Sequence, residues 1–499
     1  MLYLSPKNDR YSDLFSLYNL NTNHNILTLS FHSTRYNKYK EKESKQKIKE
    51  IEISMPDIFR KKIHLTSFQV IILGFMGVIL FGAFILMLPV SSVQGIITPF
   101  HKALFTSTSA VCVTGLVVLD TGSYWSAFGQ TVILILIQIG GLGVVTAATS
   151  VFILSGRKIT IMQRSTMQNA ISAPKVGGIV RLISFILKGT FLIELIGAVV
   201  MMPVFCKDFG VHGIWMAFFH SISAFCNAGF DLLGTTGHTF VSLTQYAINP
   251  VINIVIMLLI IIGGISFFTW EDIYIHKWHL KRYHMQSKII LTTTACLILL
   301  PAIAFFLLDY ANLPWKQRLL ASLFQSVTPR TAGFNTMDLS VMTDISKAMM
   351  ILLMLIGGSP SSTAGGMKTT TFAILLLNVL STFRSNDEVN AFGRRVEHEA
   401  IKNATTIAMM YFILFFAGGM AISLYEGLPL SSCLFEAASA VGTVGLTLGI
   451  TPKLHIVSQI ILIILMYLGR VGGLTLIYAV FSDRNKRKAK LPLDKIIVG

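Results

Sequence analysis

Charged side chains are scarce in this sequence. Of its 499 residues, 13% are Asp, Glu, Lys or Arg, and 24 are acidic. Soluble domains carry roughly 25% charged residues, so this balance excludes an ordinary soluble domain. The hydrophobic share is 53% and the mean hydropathy is +0.66. The sequence therefore predicts an integral membrane protein of the all-α class.

Several kinds of chemistry lack the residues that they need. No G-x-x-x-x-G-K-[ST] string is present, which excludes ATP hydrolysis by a P-loop. No cluster of His, Asp, Glu or Cys lies at membrane depth, as a membrane enzyme would require, and no covalent cofactor is expected. The cysteines have neither metal-site nor disulfide spacing and are interpreted as packing residues. They are Cys112, Cys206, Cys226, Cys296 and Cys433.

The net charge of +17 would suit a nucleic-acid partner, but the basic residues lie in short segments between apolar runs. The positive-inside rule is the simpler cause, so no nucleic acid is expected. Alternate segments carry 22 Lys and Arg residues on one side and 7 on the other. The basic side, with both chain ends, is therefore predicted to be cytoplasmic. Its segments are 60–62, 155–181, 271–288, 384–402 and 484–495.

One short motif recurs four times between apolar runs. Each copy has a glycine followed by a large apolar residue, and a phenylalanine precedes that glycine by 10, 10, 9 and 10 positions. The glycines are 114, 104 and 112 positions apart, which indicates an internal repeat. Four copies predict four walls around one axis. The copies are S-A-V-C-V-T-G-L (109–116), S-A-F-C-N-A-G-F (223–230), S-V-T-P-R-T-A-G-F (326–334) and S-A-V-G-T-V-G-L (439–446).

Each motif lies between apolar segments in a fixed order: a full span, a half-span, the motif loop and a second span. The sequence thus predicts eight spans and four half-spans around one central pore. The pore repeats are predicted at 63–156, 182–270, 288–383 and 403–482, and cytoplasmic tails at 1–62 and 483–499. Residues 1–54 have a composition typical of disorder. They are either a cytoplasmic tail or sequence upstream of a true start at Met55.

Glycine pairs recur in the second span of every repeat. Gly140-Gly141 and Gly263-Gly264 predict close helix packing, and Gly472-Gly473 is the pair of the fourth repeat. In the third repeat, residues 357–366 read G-G-S-P-S-S-T-A-G-G, which cannot form a regular helix. That span is predicted to break into two helices joined by a loop at membrane depth.

The motif loops favour a cation. The half-spans end at the loops, so the negative ends of their helix dipoles point to the centre. A glycine lets the backbone turn its carbonyl inward, as in potassium filters. No carboxylate lies in any motif, so a ring of acidic side chains is not supported.

Charged residues inside spans are functional candidates because they are costly there. Lys368 and Arg470 interrupt the spans of the third and fourth repeats. They either act in the pore or anchor at the inner membrane interface. Lys188 is predicted to extend to the inner surface, and Glu194 to serve as a structural hydrogen-bond partner.

The strings A-V-C-V-T-G-L, A-F-C-N-A-G-F, P-R-T-A-G-F-N-T and G-T-V-G-L-T-L-G closely resemble the Trk/Ktr/HKT superfamily of potassium transporters, above all the KtrB or KtrD type of subunit. The resemblance covers about residues 55–499. It implies a selectivity filter at Val113, Thr114, Gly115, Asn227, Ala228, Gly229, Thr331, Ala332, Gly333, Thr443, Val444 and Gly445. Glycine at position 115, where related plant proteins with sodium preference have serine, favours potassium.

The resemblance also implies a gate below the filter. The gating loop would comprise Gly357, Gly358, Ser359, Pro360, Ser361, Ser362, Thr363, Ala364, Gly365, Gly366 and Lys368, with Arg470 beside it. Ser361 and Gly473 depart from relatives, many of which have Gly and Pro there. Implied partners are a second copy, membrane lipid and a ring of cytosolic nucleotide-binding subunits of the KtrA or KtrC type.

The implied activity is potassium uptake across a bacterial plasma membrane, with sodium as an activator in some members. A secondary transporter for another solute is the first alternative, but four like-oriented repeats without an inverted pair argue against it. A membrane enzyme is the second alternative, and it lacks the polar cluster noted above.

Overall fold

The computed structural model describes residues 66–148, 161–170, 177–473 and 475. They form helices, loops and one short hairpin, as the all-α prediction requires. The predicted tails 1–62 and 483–499 lie outside these residues. The first repeat contains α1 (Ser67–Met87), half-helix α2 (Phe100–Val111), α3 (Thr121–Tyr124) and α4 (Ala127–Leu142), and α5 (Ile161–Ala170) follows it.

The other repeats have the same order of elements. The second contains α6 (Ile179–Phe209), half-helix α7 (His212–Phe225), α8 (Pro250–Gly264) and α9 (Phe267–His276). The third contains α10 (Met285–Leu308), half-helix α11 (Trp315–Val327), α12 (Asp344–Leu355) and α13 (Thr369–Phe383). The fourth contains α14 (His398–Glu426), half-helix α15 (Leu430–Gly442) and α16 (Ile456–Val471).

A short hairpin joins the third repeat to the fourth. Strands β1 (Asn390–Ala391) and β2 (Arg394–Arg395) pair antiparallel. The turn residues Phe392 and Gly393 have φ of +49° and +74°. Positive φ at both central residues matches the twist that a two-residue hairpin needs.

The first helix of each repeat is long and apolar. Helices α1, α6, α10 and α14 have 21, 31, 24 and 29 residues and the composition of membrane spans. About 20 residues suffice to cross the hydrocarbon core of a bilayer. Large side chains point outward from these helices, with Phe81, Phe191 and Leu300 exposed by 67%, 57% and 68%. This outer apolar surface is the one that lipid covers.

The second span is interrupted in every repeat, whereas the sequence predicted a break only in the third. Helices α4 and α16 end where Gly143 and Gly472 each adopt φ of +86°. Helices α8 and α9 meet at an angle of 98°. Residues 356–368 separate α12 from α13. Glycine with positive φ ends a helix without the steric cost of a Cβ, so Gly143 and Gly472 favour the breaks after α4 and α16.

The half-helices lie at the centre of the molecule. The recurring phenylalanines of the four repeats are all 0% exposed: Phe105, Phe219, Phe324 and Phe435. A Cβ on Gly140 would lie 2.2 Å from the Val111 carbonyl oxygen, and one on Gly263 would lie 1.9 Å from that of Phe225. The close packing predicted for these glycine pairs is therefore confirmed.

Gly140→Ala should lower the stability of the fold. The added methyl group would displace the end of α2, and overpacking of this kind costs typically about 1–3 kcal/mol. Gly77→Ala is the matched control, because a Cβ on Gly77 of α1 meets nothing within 4 Å. Thermal unfolding in detergent should show a lower midpoint for Gly140→Ala alone. Equal midpoints for both variants would contradict a tight contact between α2 and α4.

Candidate ion pathway at the centre of the repeats

The four motif glycines form a closed ring, here called the glycine ring. A Cβ built on each of them would collide with a backbone carbonyl oxygen of the next repeat. Because the fourth contact returns to the first repeat, all four motif loops surround one axis. The contacts run from Gly115 to Ala228, from Gly229 to Ala332, from Gly333 to Val444 and from Gly445 to Thr114, at 2.4, 2.5, 2.3 and 2.2 Å.

The backbone donors of the motif loops are turned away from the ring. In the first loop, the N–H of Thr114 donates to the Ser109 carbonyl at 2.8 Å, and the N–H of Gly115 to Ser109 Oγ at 3.1 Å. The fourth loop repeats this arrangement, with Val444 and Gly445 donating to Ser439 at 2.8 and 3.0 Å. In both loops, these N–H groups therefore donate to the half-helix that precedes the loop.

The carbonyl groups of the loops are left free. Among the described residues, no hydrogen bond is donated to the carbonyl oxygens of the twelve predicted filter residues. Non-glycine residues two positions before the ring have positive φ, and so do the ring glycines. The residue between them does not, and this alternation turns successive carbonyls to one side of the chain. The non-glycine residues are Val113, Asn227, Thr331 and Thr443, at +56°, +60°, +70° and +52°.

The second and third loops are tied differently from the first and fourth. Ser223 Oγ donates to the Phe230 carbonyl at 2.8 Å, and Thr328 Oγ1 to that of Phe334 at 2.5 Å. Thr328, rather than Ser326, is therefore the counterpart of the leading serine. The side chains of Asn227 and Thr331, 3.1 Å apart, link the two loops to each other.

A cavity of about 300 Å³, the ring-side cavity, is lined by all four ring glycines. Three carboxylates also line it: Asp120, Asp231 and Asp338. Asp120 is structural, since its oxygens accept from Ser123 and from the Phe240 N–H. Hydrogen bonds from Ser340 lower the pKa of Asp338, so this group is an anion at neutral pH.

These carboxylates were not among the predicted site residues, because they lie outside the four motifs. Asp231 directly follows the second motif, which was the available signal. The anionic Asp338 thus places a negative charge in the ring-side cavity, and such a charge raises the local concentration of cations.

A second cavity of about 350 Å³, the loop-side cavity, lies among the interrupted spans. Tyr411 and Arg470 line it together with seven residues within 360–368 of the third repeat: Pro360, Ser361, Ser362, Ala364, Gly366, Met367 and Lys368. The ring glycines do not line it. No other residue of the motif loops lines it either, and the two cavities share no lining residue.

The third-repeat loop, residues 357–366, is irregular, as predicted, and closes on itself at a narrow neck. Ile356 and Met367 form a parallel bridge, and the Gly357 N–H donates to the Met367 carbonyl at 2.7 Å. Lys368 Nζ donates to the Ala364 carbonyl at 2.7 Å, so its amino group is bound to the loop. Ser361 has φ of +54°, a conformation that favours glycine.

Arg470 connects three interrupted spans. Its guanidinium donates to the Thr363 carbonyl in the third-repeat loop and to the Gly140 carbonyl at the end of α4. It also donates to the Gly141 carbonyl at 3.2 Å. The predicted contact between Arg470 and the loop is present.

The position of Arg470 corrects the alignment of the glycine pairs. A Cβ on Gly469 would lie 2.2 Å from the Val441 carbonyl oxygen, four residues before the ring glycine. Gly140 and Gly263 meet the same register position in their repeats. The counterpart of the glycine pair is therefore Gly469-Arg470 rather than Gly472-Gly473. Where two repeats have a second glycine, the fourth repeat places a guanidinium.

The remaining sequence candidates lie outside this pathway. Gln138 Nε2 donates to both carboxylate oxygens of Glu194, at 3.1 and 3.3 Å, which confirms Glu194 as a hydrogen-bond partner between helices. Lys188 is exposed on α6. All five cysteines are free, and three of them are buried: Cys112, Cys226 and Cys433. The interpretation of the cysteines as packing residues fits these three, whereas Cys296 is exposed.

Four repeats of span, half-helix, loop and broken span around one ring define an all-α membrane transport protein. Residues 62–488 match the TrkH family of cation transport proteins. The chain belongs to this family, whose members are ion transporters rather than enzymes.

Similar proteins cover nearly the whole chain. The "Potassium/sodium uptake protein NtpJ" of Enterococcus hirae is 38% identical over 456 residues, which are 89% of this chain and 100% of that protein. The "Ktr system potassium uptake protein B" of Bacillus subtilis is 36% identical over 446 residues, 88% of this chain and 98% of that protein. The potassium transporter TrkH of Vibrio parahaemolyticus shares the fold, with a TM-score of 0.66, 18% identity and coverage of 84% and 85%.

Proposed function

We propose that the chain takes up potassium across a bacterial plasma membrane through the carbonyls of the four motif loops. The observation that carries this proposal is the closed ring whose carbonyl oxygens receive no hydrogen bond. Such carbonyls can replace the hydration shell of a potassium ion. The names of the relatives, which are potassium uptake proteins, support the same ion. The selectivity filter then consists of residues 113–115, 227–229, 331–333 and 443–445.

The third-repeat loop and Arg470 form the gate of this pathway. The loop lines the loop-side cavity at membrane depth, and the guanidinium carries a fixed positive charge there. A positive charge on the path opposes a cation until it moves aside. Lys368 lines the same cavity and is bound to the loop through the Ala364 carbonyl.

Uptake is driven by the membrane potential. With the basic segments in the cytoplasm, the ring-side cavity opens to the outside and the loop-side cavity to the inside. An inside-negative potential supplies about 2.3 kcal/mol per charge per 100 mV. One relative is named for potassium and sodium, so sodium is either a second cargo or an activator.

The transporter works as part of a larger assembly. The relatives from Bacillus subtilis are named as parts of a Ktr system, which supports a regulatory partner. We expect a homodimer in the membrane on a cytosolic ring of nucleotide-binding subunits. Helix α13 follows the third-repeat loop directly, so its far end at Arg384 is the shortest route from a cytosolic partner to the gate.

Growth of a potassium-uptake-deficient bacterium at limiting potassium tests the proposal. Expression of the chain should restore growth, more strongly with a Ktr-type regulatory subunit than without one. Gly333→Val at equal expression is the inactive control, because a Cβ there would lie 2.3 Å from the Val444 carbonyl oxygen. Equal growth with the wild type and this variant would contradict the proposed function.

A further inference from the structure

The third-repeat loop is seated in the break of the second repeat. Helix α8 ends at Gly264, and the carbonyls of Gly263 and Gly264 have no backbone partner within the helix or its cap. The N–H of Ser359 donates to Gly264 at 2.9 Å, and the N–H of Thr363 donates to Gly263 at 3.1 Å. Across the break, the N–H of Phe267 donates to the Ser361 carbonyl at 2.8 Å. The loop therefore caps both ends of the broken span.

Thr363 of the loop contacts not only the end of α8 but also the end of half-helix α7. It is 0% exposed, and its Oγ1 lies 2.9 Å from the Gly263 carbonyl oxygen and 3.0 Å from that of Phe225. Phe225 is the last residue of half-helix α7, four residues before the ring glycine Gly229. Its carbonyl is one of those that a helix C-terminus leaves unpaired. The hydroxyl of Thr363 thus caps the half-helix that carries one wall of the ring.

Thr363 is also hydrogen-bonded to the fourth repeat. Arg470 of α16 donates to the Thr363 carbonyl. Thr363 thereby holds the second repeat with its hydroxyl and N–H, and the fourth repeat with its carbonyl. Since the loop cannot leave the break without releasing these bonds together, its displacement also releases the end of α7.

We propose that Thr363 is the latch that keeps the third-repeat loop closed and couples that loop to the second motif loop. This inference rests on the proposed function. Thr363 is a positioning residue: it acts on the ion through the Phe225 carbonyl and through the place of the loop. When the latch opens, the loop leaves the path and the second wall of the filter changes its support at the same moment.

Potassium flux into liposomes that contain the purified full chain tests the latch. Thr363→Val removes the hydroxyl and nearly keeps the shape, so the closed state loses a buried hydrogen bond and flux should rise roughly three- to tenfold. Thr363→Ser should stay close to the wild type, because it keeps the hydroxyl. Ser91→Ala is the control, since Ser91 is also 0% exposed and its hydroxyl donates to the Ile85 carbonyl at 2.8 Å, where neither residue lines either cavity.

Ion selectivity distinguishes coupling between the loop and the second motif loop from a loop that is merely less tightly held. The ratio of potassium to sodium flux should fall in Thr363→Val, because the support of the second motif loop is lost with the latch. The ratio should stay unchanged in Ser91→Ala. Thr363→Val protein with wild-type flux and wild-type selectivity would overturn the inference. An inactive wild type would instead contradict the proposed function.

Amide hydrogen exchange of the wild type decides the question if Thr363→Val does not fold. The N–H groups of Ser359, Thr363 and Phe267 bridge the loop and the break, so they should exchange at one common rate. A Phe267 amide that stays protected while the two loop amides exchange would overturn the inference.

Discussion

Gly115→Ser is expected to reduce the preference for potassium over sodium without preventing membrane insertion. Gly115 has φ of +90°, and a Cβ there would lie 2.4 Å from the Ala228 carbonyl oxygen. Strain of this kind costs about 1–3 kcal/mol. If it falls on the ring, it corresponds to a roughly 5- to 150-fold change in selectivity. Competition of potassium and sodium in liposome flux measures the ratio.

Gly449→Ser separates the collision from the backbone strain. Gly449 has φ of +84° and also lines the ring-side cavity, but a Cβ there meets nothing within 4 Å. This variant should keep its selectivity. Unchanged selectivity in well-expressed Gly115→Ser would remove the four motif loops from the pathway.

Deletion of Ser359–Ala364 is expected to raise ion flux by about tenfold or more, since several hydrogen bonds of ~1 kcal/mol each hold the loop closed. The neck tolerates this deletion because its two sides already touch. A Cβ on Gly358 would lie 2.4 Å from the Cβ of Ala364, and one on Gly357 would lie 2.2 Å from the Gly365 carbonyl oxygen. The deletion should also weaken any dependence on a regulatory subunit.

The flux of two further variants should lie between that of the wild type and that of the deletion variant. Replacing the same six residues with glycine keeps the length of the loop and should raise flux less than the deletion. Arg470→Ala should act in the same direction and more weakly, because the backbone of the loop stays in the break. A folded dimer of the deletion variant with lower flux would show that the loop belongs to the permeation path rather than to its barrier.

The sequence predicts the centre of this fold because the centre repeats. One glycine, one phenylalanine at fixed distance and one half-span recur four times, and each has a local physical cause. The free carbonyls follow from the same pattern, since a half-helix must end before the loop begins. The break in the third repeat was predictable from the composition of residues 357–366 alone.

The alignment of the second spans was not predictable in the same way. From the ring glycine to the packing glycine, the distance is 25 residues at Gly140 and 34 at Gly263. Because the connection between the motif loop and the second span varies in length, the sequence spacing did not distinguish Gly472-Gly473 from the true counterpart in the fourth repeat. Only the contact of Gly469 with the Val441 carbonyl reveals that Arg470 replaces a second glycine.

Contacts between different repeats could not be predicted from the sequence either. Thr363 and Phe225 are 138 residues apart, and nothing local to either residue indicates the other. The bend of 98° between α8 and α9 creates the seat of the loop, yet no proline marks it. Such features depend on how the repeats pack, which a single sequence does not encode in any short window.

The central claim is that the carbonyls of the glycine ring hold the transported ion. Anomalous diffraction from crystals grown with thallium, a heavy substitute for potassium, tests it most directly. We expect a thallium peak on the axis between the carbonyls of Thr114, Ala228, Ala332 and Val444, weakened by competing potassium. A peak only beside Asp231 or Asp338 in the ring-side cavity, with the ring empty, would contradict it.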